Sequence, residues 1–66
     1  MTYYTLAVLF DADDQYSPQF GDYDRAVVEQ EAEDSYADAY KVRIIRSGDT
    51  TEEINAAVAK LNGAAR

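Results

Sequence analysis

Cysteine and histidine are both absent from the 66 residues. Without cysteine, no disulfide can staple the chain and thiolate zinc sites are excluded. Without histidine, the commonest metal ligand is gone, and the two absences together remove the usual nucleophile–base pairs. No apolar run approaches the roughly 20 residues of a membrane span. Met1-Thr2-Tyr3-Tyr4 lacks the basic region of a secretory signal. The expectation is a soluble cytoplasmic protein that is not an enzyme, has no cofactor or metal, and has no contact with membrane.

A chain this short buries only about 60% of its unfolded surface, so its core is marginal. Self-association as a homodimer is the expected source of extra stability. A hydrophobic content of 47%, with six tyrosines and two phenylalanines, argues for one folded domain and against disorder.

What the chain has in excess is carboxylate, and it is unevenly placed. Asp11 to Asp38 holds ten of the thirteen acids (Asp11, Asp13, Asp14, Asp22, Asp24, Glu29, Glu31, Glu33, Asp34 and Asp38) against one base, Arg25. The flanks hold three acids and five bases, so the net charge of −7 is local. Such a protein is repelled by nucleic acid and by anionic membranes, and its natural partners are cationic surfaces.

Taken in order, Tyr3 to Phe10 reads as a central strand, with Tyr4, Leu6, Val8 and Phe10 on its more apolar face. Asp11-Ala12-Asp13-Asp14 is a turn. Gln15 to Phe20 predicts a second strand, confined to a sheet edge because Pro18 cannot donate to a ladder. Asp22 or Asp24 caps a helix expected over Arg25 to Ala39, with an inward stripe of Val28, Ala32, Ser35 or Tyr36, and Ala39. Tyr40 to Arg46 returns to a two-residue period, with Tyr40, Val42 and Ile44 inward. The last helix starts at a capping-box pattern, Thr50 with Glu53 or Asp49 with Glu52. It carries an apolar stripe of Ile54, Ala57, Val58 and Leu61 and ends at Gly63.

The order β-β-α-β-α predicts a small α/β (α+β) domain. A right-handed crossover gives an antiparallel sheet of order 2-1-3, with both helices expected on one face. The other face would then expose Tyr3, Thr5, Ala7 and Leu9 beside Lys41, Arg43 and Ile45, a candidate dimer or partner surface.

On the first helix the pairs Glu29/Glu33 and Asp34/Asp38 are each four residues apart. Each like-charge pair costs a few tenths of a kcal/mol. Asp34 and Asp38 also sit where the helix dipole favours cations. A solvated face, or adaptation to high salt, would account for the composition alone. A spaced row of carboxylates on a rigid helix also resembles the phosphate row of a duplex, and can occupy the basic groove of a nucleic-acid-binding protein. Arg43 and Arg46 either pair with acids of the belt, the favoured expectation, or contact a partner.

Two chemical motifs carry little. Asp11-Ala12-Asp13 after a strand looks like the nucleophile motif of haloacid-dehalogenase-type phosphatases, which needs a far larger domain. Asp11, Asp13, Gln15 and Asp22 match positions of a calcium loop, but Tyr16 stands where that loop needs glycine.

Three further stretches carry a resemblance: Phe20-Gly21-Asp22-Tyr23-Asp24-Arg25 with Val27-Val28-Glu29, then Ile44-Ile45-Arg46, then Glu53 to Asn62. Together they resemble small acidic proteins of bacteriophages and prophages. The resemblance implies an accessory protein that acts on a host system by binding, as anti-CRISPR, anti-restriction and uracil-DNA glycosylase inhibitor proteins do. The glycosylase inhibitors carry a Glu-Ser-Ile strand edge, whereas this chain has Glu33-Asp34-Ser35 in an expected helix. The leading expectation is therefore an acidic, DNA-mimicking inhibitor of a host nucleic-acid-binding protein, with anti-CRISPR activity the best single assignment. Asp11, Asp13, Asp14, Asp22, Asp24, Glu29, Glu33, Asp34 and Asp38 would form the contact. The alternative is an interaction module that uses the open sheet face, its acids serving only solubility.

Overall fold

Both faces of the first strand are apolar, and this decides the architecture. The computed structural model describes residues 2–64. β1 (Tyr3–Leu9) lies at the centre of a three-stranded sheet of order β2-β1-β3, with every pair antiparallel. β2 (Ser17–Asp22) and β3 (Lys41–Ser47) form the edges. With α1 (Arg25–Ser35) and α2 (Thr51–Ala64) they make a small α+β domain in the expected element order.

Leu6 and Val8 point to one side of β1, where Val28 of α1 packs on them with Ala32, Tyr36 and Ile44. Ala7 and Leu9 point to the other side, where Val58 and Leu61 of α2 pack with Tyr16 and Ile45. The helices therefore cover opposite faces, not the single face expected. The stripe of α2 is small and apolar enough to seal the Thr5, Ala7, Leu9 face, leaving those residues at most 9% exposed. That face is not open, and it is not a docking surface. Burial on both sides suits a central strand without strict alternation.

β2 is an edge strand, as Pro18 requires. Its register with β1 slips between Leu6↔Phe20 and Ala7↔Pro18, so Gln19 is the extra residue of a bulge. At Gly21 a Cβ would stand 2.4–2.6 Å from the outer end of the Tyr3 side chain, so any larger residue there would force Tyr3 to shift.

Several ends differ from expectation. α1 stops at Ser35, four residues short of Ala39, because Tyr36 leaves helical geometry (φ −127°, ψ 22°). Tyr36 N–H still bonds Ala32 O at 3.2 Å, and Ala39 N–H closes a turn on Tyr36 O at 3.1 Å. The early stop takes Asp38 out of the helix but leaves it just beyond the C-terminus, still near the negative end of the dipole. Tyr36, not Ser35, joins the core. Phe10 lies just past β1 and is 51% exposed, and Tyr40 is 56% exposed just before β3, so neither is a core residue. Gly63 is helical rather than a left-handed cap, since no glycine among the described residues has positive φ. At the other end of α2, Thr50 Oγ1 accepts from Glu53 N–H at 3.1 Å and its hydroxyl donates to Glu53 Oε1 at 2.9 Å.

Candidate functional site

The strands carry the chain back and forth between two ends of the sheet, and the carboxylates divide between those ends. Asp22 and Asp24 lie where β2 leaves the sheet and α1 begins. Asp11, Asp13 and Asp14 lie in the β1–β2 turn at the opposite end, where α1 also finishes and Asp38 follows it. The length of β1 separates the two groups by about 20 Å. Only α1 links them, carrying Glu29, Glu33 and Asp34 exposed along its length. The nine expected contact residues thus form two terminal groups joined by a helix of about 16 Å. Asp38 belongs to the far turn and not to the helix row, which corrects the expected Asp34/Asp38 pair.

Six of the nine hold the chain's own backbone or side chains. Asp22 Oδ1 accepts from Asp24 N–H at 2.9 Å, and Asp24 Oδ1 accepts from Ala26 N–H at 2.9 Å as the N-cap of α1. Glu29 pairs with Arg25 at 3.0 Å. Both oxygens of Asp34 accept from Gln30 Nε2 at 3.0 Å. Asp11 Oδ1 takes a long bond from Asp13 N–H at 3.5 Å, and Asp14 Oδ1 accepts from Gln15 N–H at 2.8 Å. Turn and cap chemistry explains these acids locally. The side chains of Asp13, Glu33 and Asp38 accept no bond among the described residues. A carboxylate has about four acceptor sites, so the six engaged acids retain capacity for an outside cation.

The turn acids Asp11, Asp13 and Asp14 ring a shallow concavity of about 250 Å³. Among the described residues no three carboxylates converge on a metal-sized site. Asp22 lies at the far end of β2 from Asp11 and Asp13, so the calcium-loop spacing does not close into a loop. No helix among the described residues is long and apolar enough to cross a membrane.

Sequence reading missed two polar links. Tyr23 Oη donates to Asp49 Oδ2 at 2.8 Å, and that bond to the carboxylate pushes the exposed phenol above its ordinary 10.0. The Tyr23 ring meets Tyr3 edge-on at 5.0 Å between centroids. The second link runs from α2 to the segment before β2. Asn62 Oδ1 accepts from Tyr16 N–H at 2.8 Å, and Asn62 Nδ2 donates to Tyr16 O at 3.1 Å.

The bases also depart from expectation. Arg25–Glu29 is the only ion pair among the described residues, so Arg43 and Arg46 do not pair with the belt. Arg43 sits opposite Ala7 on the α2 side of the sheet, whereas the belt follows α1 on the other side. Lys41, Arg43 and Arg46 of β3, with Lys60 of α2, gather at the β3 edge. Neither a family model, nor a curated protein, nor a solved structure matches this chain.

Proposed function

We propose that this protein is a binding inhibitor, of the kind small acidic phage proteins supply, which occupies the basic groove of a nucleic-acid-handling host protein. The observation that carries the reading is the path of charge along α1. Asp22 and Asp24 stand at its start, Glu29, Glu33 and Asp34 along it, and Asp38 with Asp11, Asp13 and Asp14 at its finish. The one base of that path, Arg25, is already held by Glu29. A rigid helix spaces carboxylates one turn apart, about 5.4 Å, without the flexibility of an acidic tail. Lysines and arginines that grip a phosphate backbone would engage the same row. Within this class a CRISPR effector is the best single target, following the resemblance to phage accessory proteins. The contact is with protein alone; nucleic acid is the competitor and not the ligand.

The test is a pull-down of host-lysate proteins and purified CRISPR effectors on the tagged protein, washed at low and then high salt. The reading expects one nucleic-acid-binding protein, released by salt and displaced by its own nucleic acid. Charge reversal is best made at Glu33 and Asp38, which support no bond among the described residues. The Glu33→Lys/Asp38→Lys protein should fold and lose capture. A partner retained at high salt, or captured equally by the reversed protein, would defeat the reading.

A further inference from the structure

β3 is the open edge of the sheet. β2 closes the other edge to pairing with Pro18 and a bulge. β3 has neither proline nor bulge, and all seven of its residues pair in continuous register with β1. Among the described residues its outer side has no neighbouring strand, so alternate N–H and C=O groups along it face outward without a strand to pair with. Two apolar grooves flank it. On the α1 side, Tyr36, Ala39, Tyr40 and Val42 line a groove of about 420 Å³, with Glu33 and Lys41 at its charged margin. On the α2 side, Ile45, Ala57, Lys60 and Leu61 line one of about 330 Å³.

The charge here opposes that of the molecule. Lys41, Arg43, Arg46 and Lys60 form no ion pair among the described residues, although thirteen carboxylates are present in the chain. Register places Lys41 and Arg43 on the α2 side, opposite Leu9 and Ala7, while Val42 and Ile44 lie on the α1 side, opposite Val8 and Leu6.

We propose that the β3 edge receives an extended acidic segment of a partner protein as a fourth strand. An added strand alternates its side chains between the two faces. Its apolar residues enter the groove beside Tyr36 and Val42, and its carboxylates meet Arg43 and Lys60 on the α2 side and, at the start of β3, Lys41, whose ammonium lies 5.9 Å from the centre of the Tyr40 ring. Main-chain bonds to β3 hold the segment, and the alternation selects it. The surface adjoins the α1 carboxylates at Glu33, which also lines the α1-side groove, whereas Lys41 and Arg43 take no part in the α1 contact, so their substitution tests this proposal alone.

The probe is a capped seven-residue peptide alternating glutamate and valine. One comparison peptide alternates lysine and valine; another has the first composition arranged in two blocks. Backbone amide shifts and hydrogen exchange of the labelled protein read the result. The alternating acidic peptide should slow exchange at every second amide of Lys41–Ser47 and shift residues along both grooves. A Lys41→Glu/Arg43→Glu protein, checked for its fold by circular dichroism, should bind it at least about tenfold more weakly. Three outcomes would overturn the proposal: no protection on β3, equal binding of the lysine peptide, or protection that grows with protein concentration alone. The first would leave the bases as guards of a bare edge, and the last would make a second copy the occupant.

Discussion

Thr5 is 2% exposed and its hydroxyl has no hydrogen-bond partner among the described residues. A buried unsatisfied hydroxyl costs about 1–3 kcal/mol, and an apolar group of the same shape removes that cost. Thr5→Val should therefore stabilise the protein by about 1 kcal/mol, read as a higher urea midpoint at unchanged slope. A lower midpoint would mean that the hydroxyl is satisfied in solution. At Tyr23, the bond donated to Asp49 favours the neutral phenol. The folded pKa is raised, so any stability from this contact is complete below 10.0 and is lost as pH climbs through the raised value. Spectrophotometric titration should find this tyrosine, identified by its loss in Tyr23→Phe, ionising above 10.0 in the parent and lower in Asp49→Ala. No change in Asp49→Ala would show that the bond does not form in solution. Neither residue announced its role in the sequence. Thr5 read as the polar member of a mixed face, and Tyr23 and Asp49 are 26 positions apart, with no periodicity to connect them.

Local chemistry was legible among the elements, and the face that each helix covers was not. The Asp24 cap, the Thr50/Glu53 pattern and the edge placement of Pro18 each depend on a few adjacent residues, and each occurs as read. The side chosen by α2 depends on comparing two apolar stripes of β1 that differ only in degree. Leu6 and Val8 drew attention, while Ala7 and Leu9 looked exposable. Alanine and threonine pack closely under a helix whose own stripe is Ala57, Val58 and Leu61, and this close fit makes the second core. Asn62 then fixes α2 over it by pairing with both backbone groups of Tyr16. Asn62→Ala would leave a half-buried N–H and C=O without partners, at about 1 kcal/mol each. The expected loss is about 1–3 kcal/mol in chemical denaturation, with faster amide exchange at Tyr16. For a chain of 66 residues, whose whole stability is about 3–10 kcal/mol, that is a large fraction. A loss below about 0.5 kcal/mol would mean that water replaces the amide without penalty.

At the scale of the whole molecule, acids kept for binding and acids that are merely solvated differ in what they cost the fold. The belt was visible in the sequence. Its division between two ends of the sheet was not, because that follows from where β1 and β2 reverse direction. Six of its nine candidate contacts have local partners, which explains their presence without a ligand. Asp13, Glu33 and Asp38 have none among the described residues, and Glu33 and Asp38, on and just past α1, are the ones that discriminate. Glu33→Lys/Asp38→Lys takes the net charge from −7 to −3 and removes no bond among the described residues. It also places a cation just beyond the C-terminus of α1, where the dipole favours one. Stability should rise by a few tenths to about 1 kcal/mol at low ionic strength. The gain should fade towards 1 M salt, where the screening length falls to about 3 Å. Thermal melts of parent and variant across a salt series read it directly. A gain at low salt, together with lost capture of the partner, would mean that the native acids are retained at a cost in stability because binding needs them. A variant less stable than the parent would show that these two carboxylates support the fold, and capture data on it would then say nothing about a decoy surface.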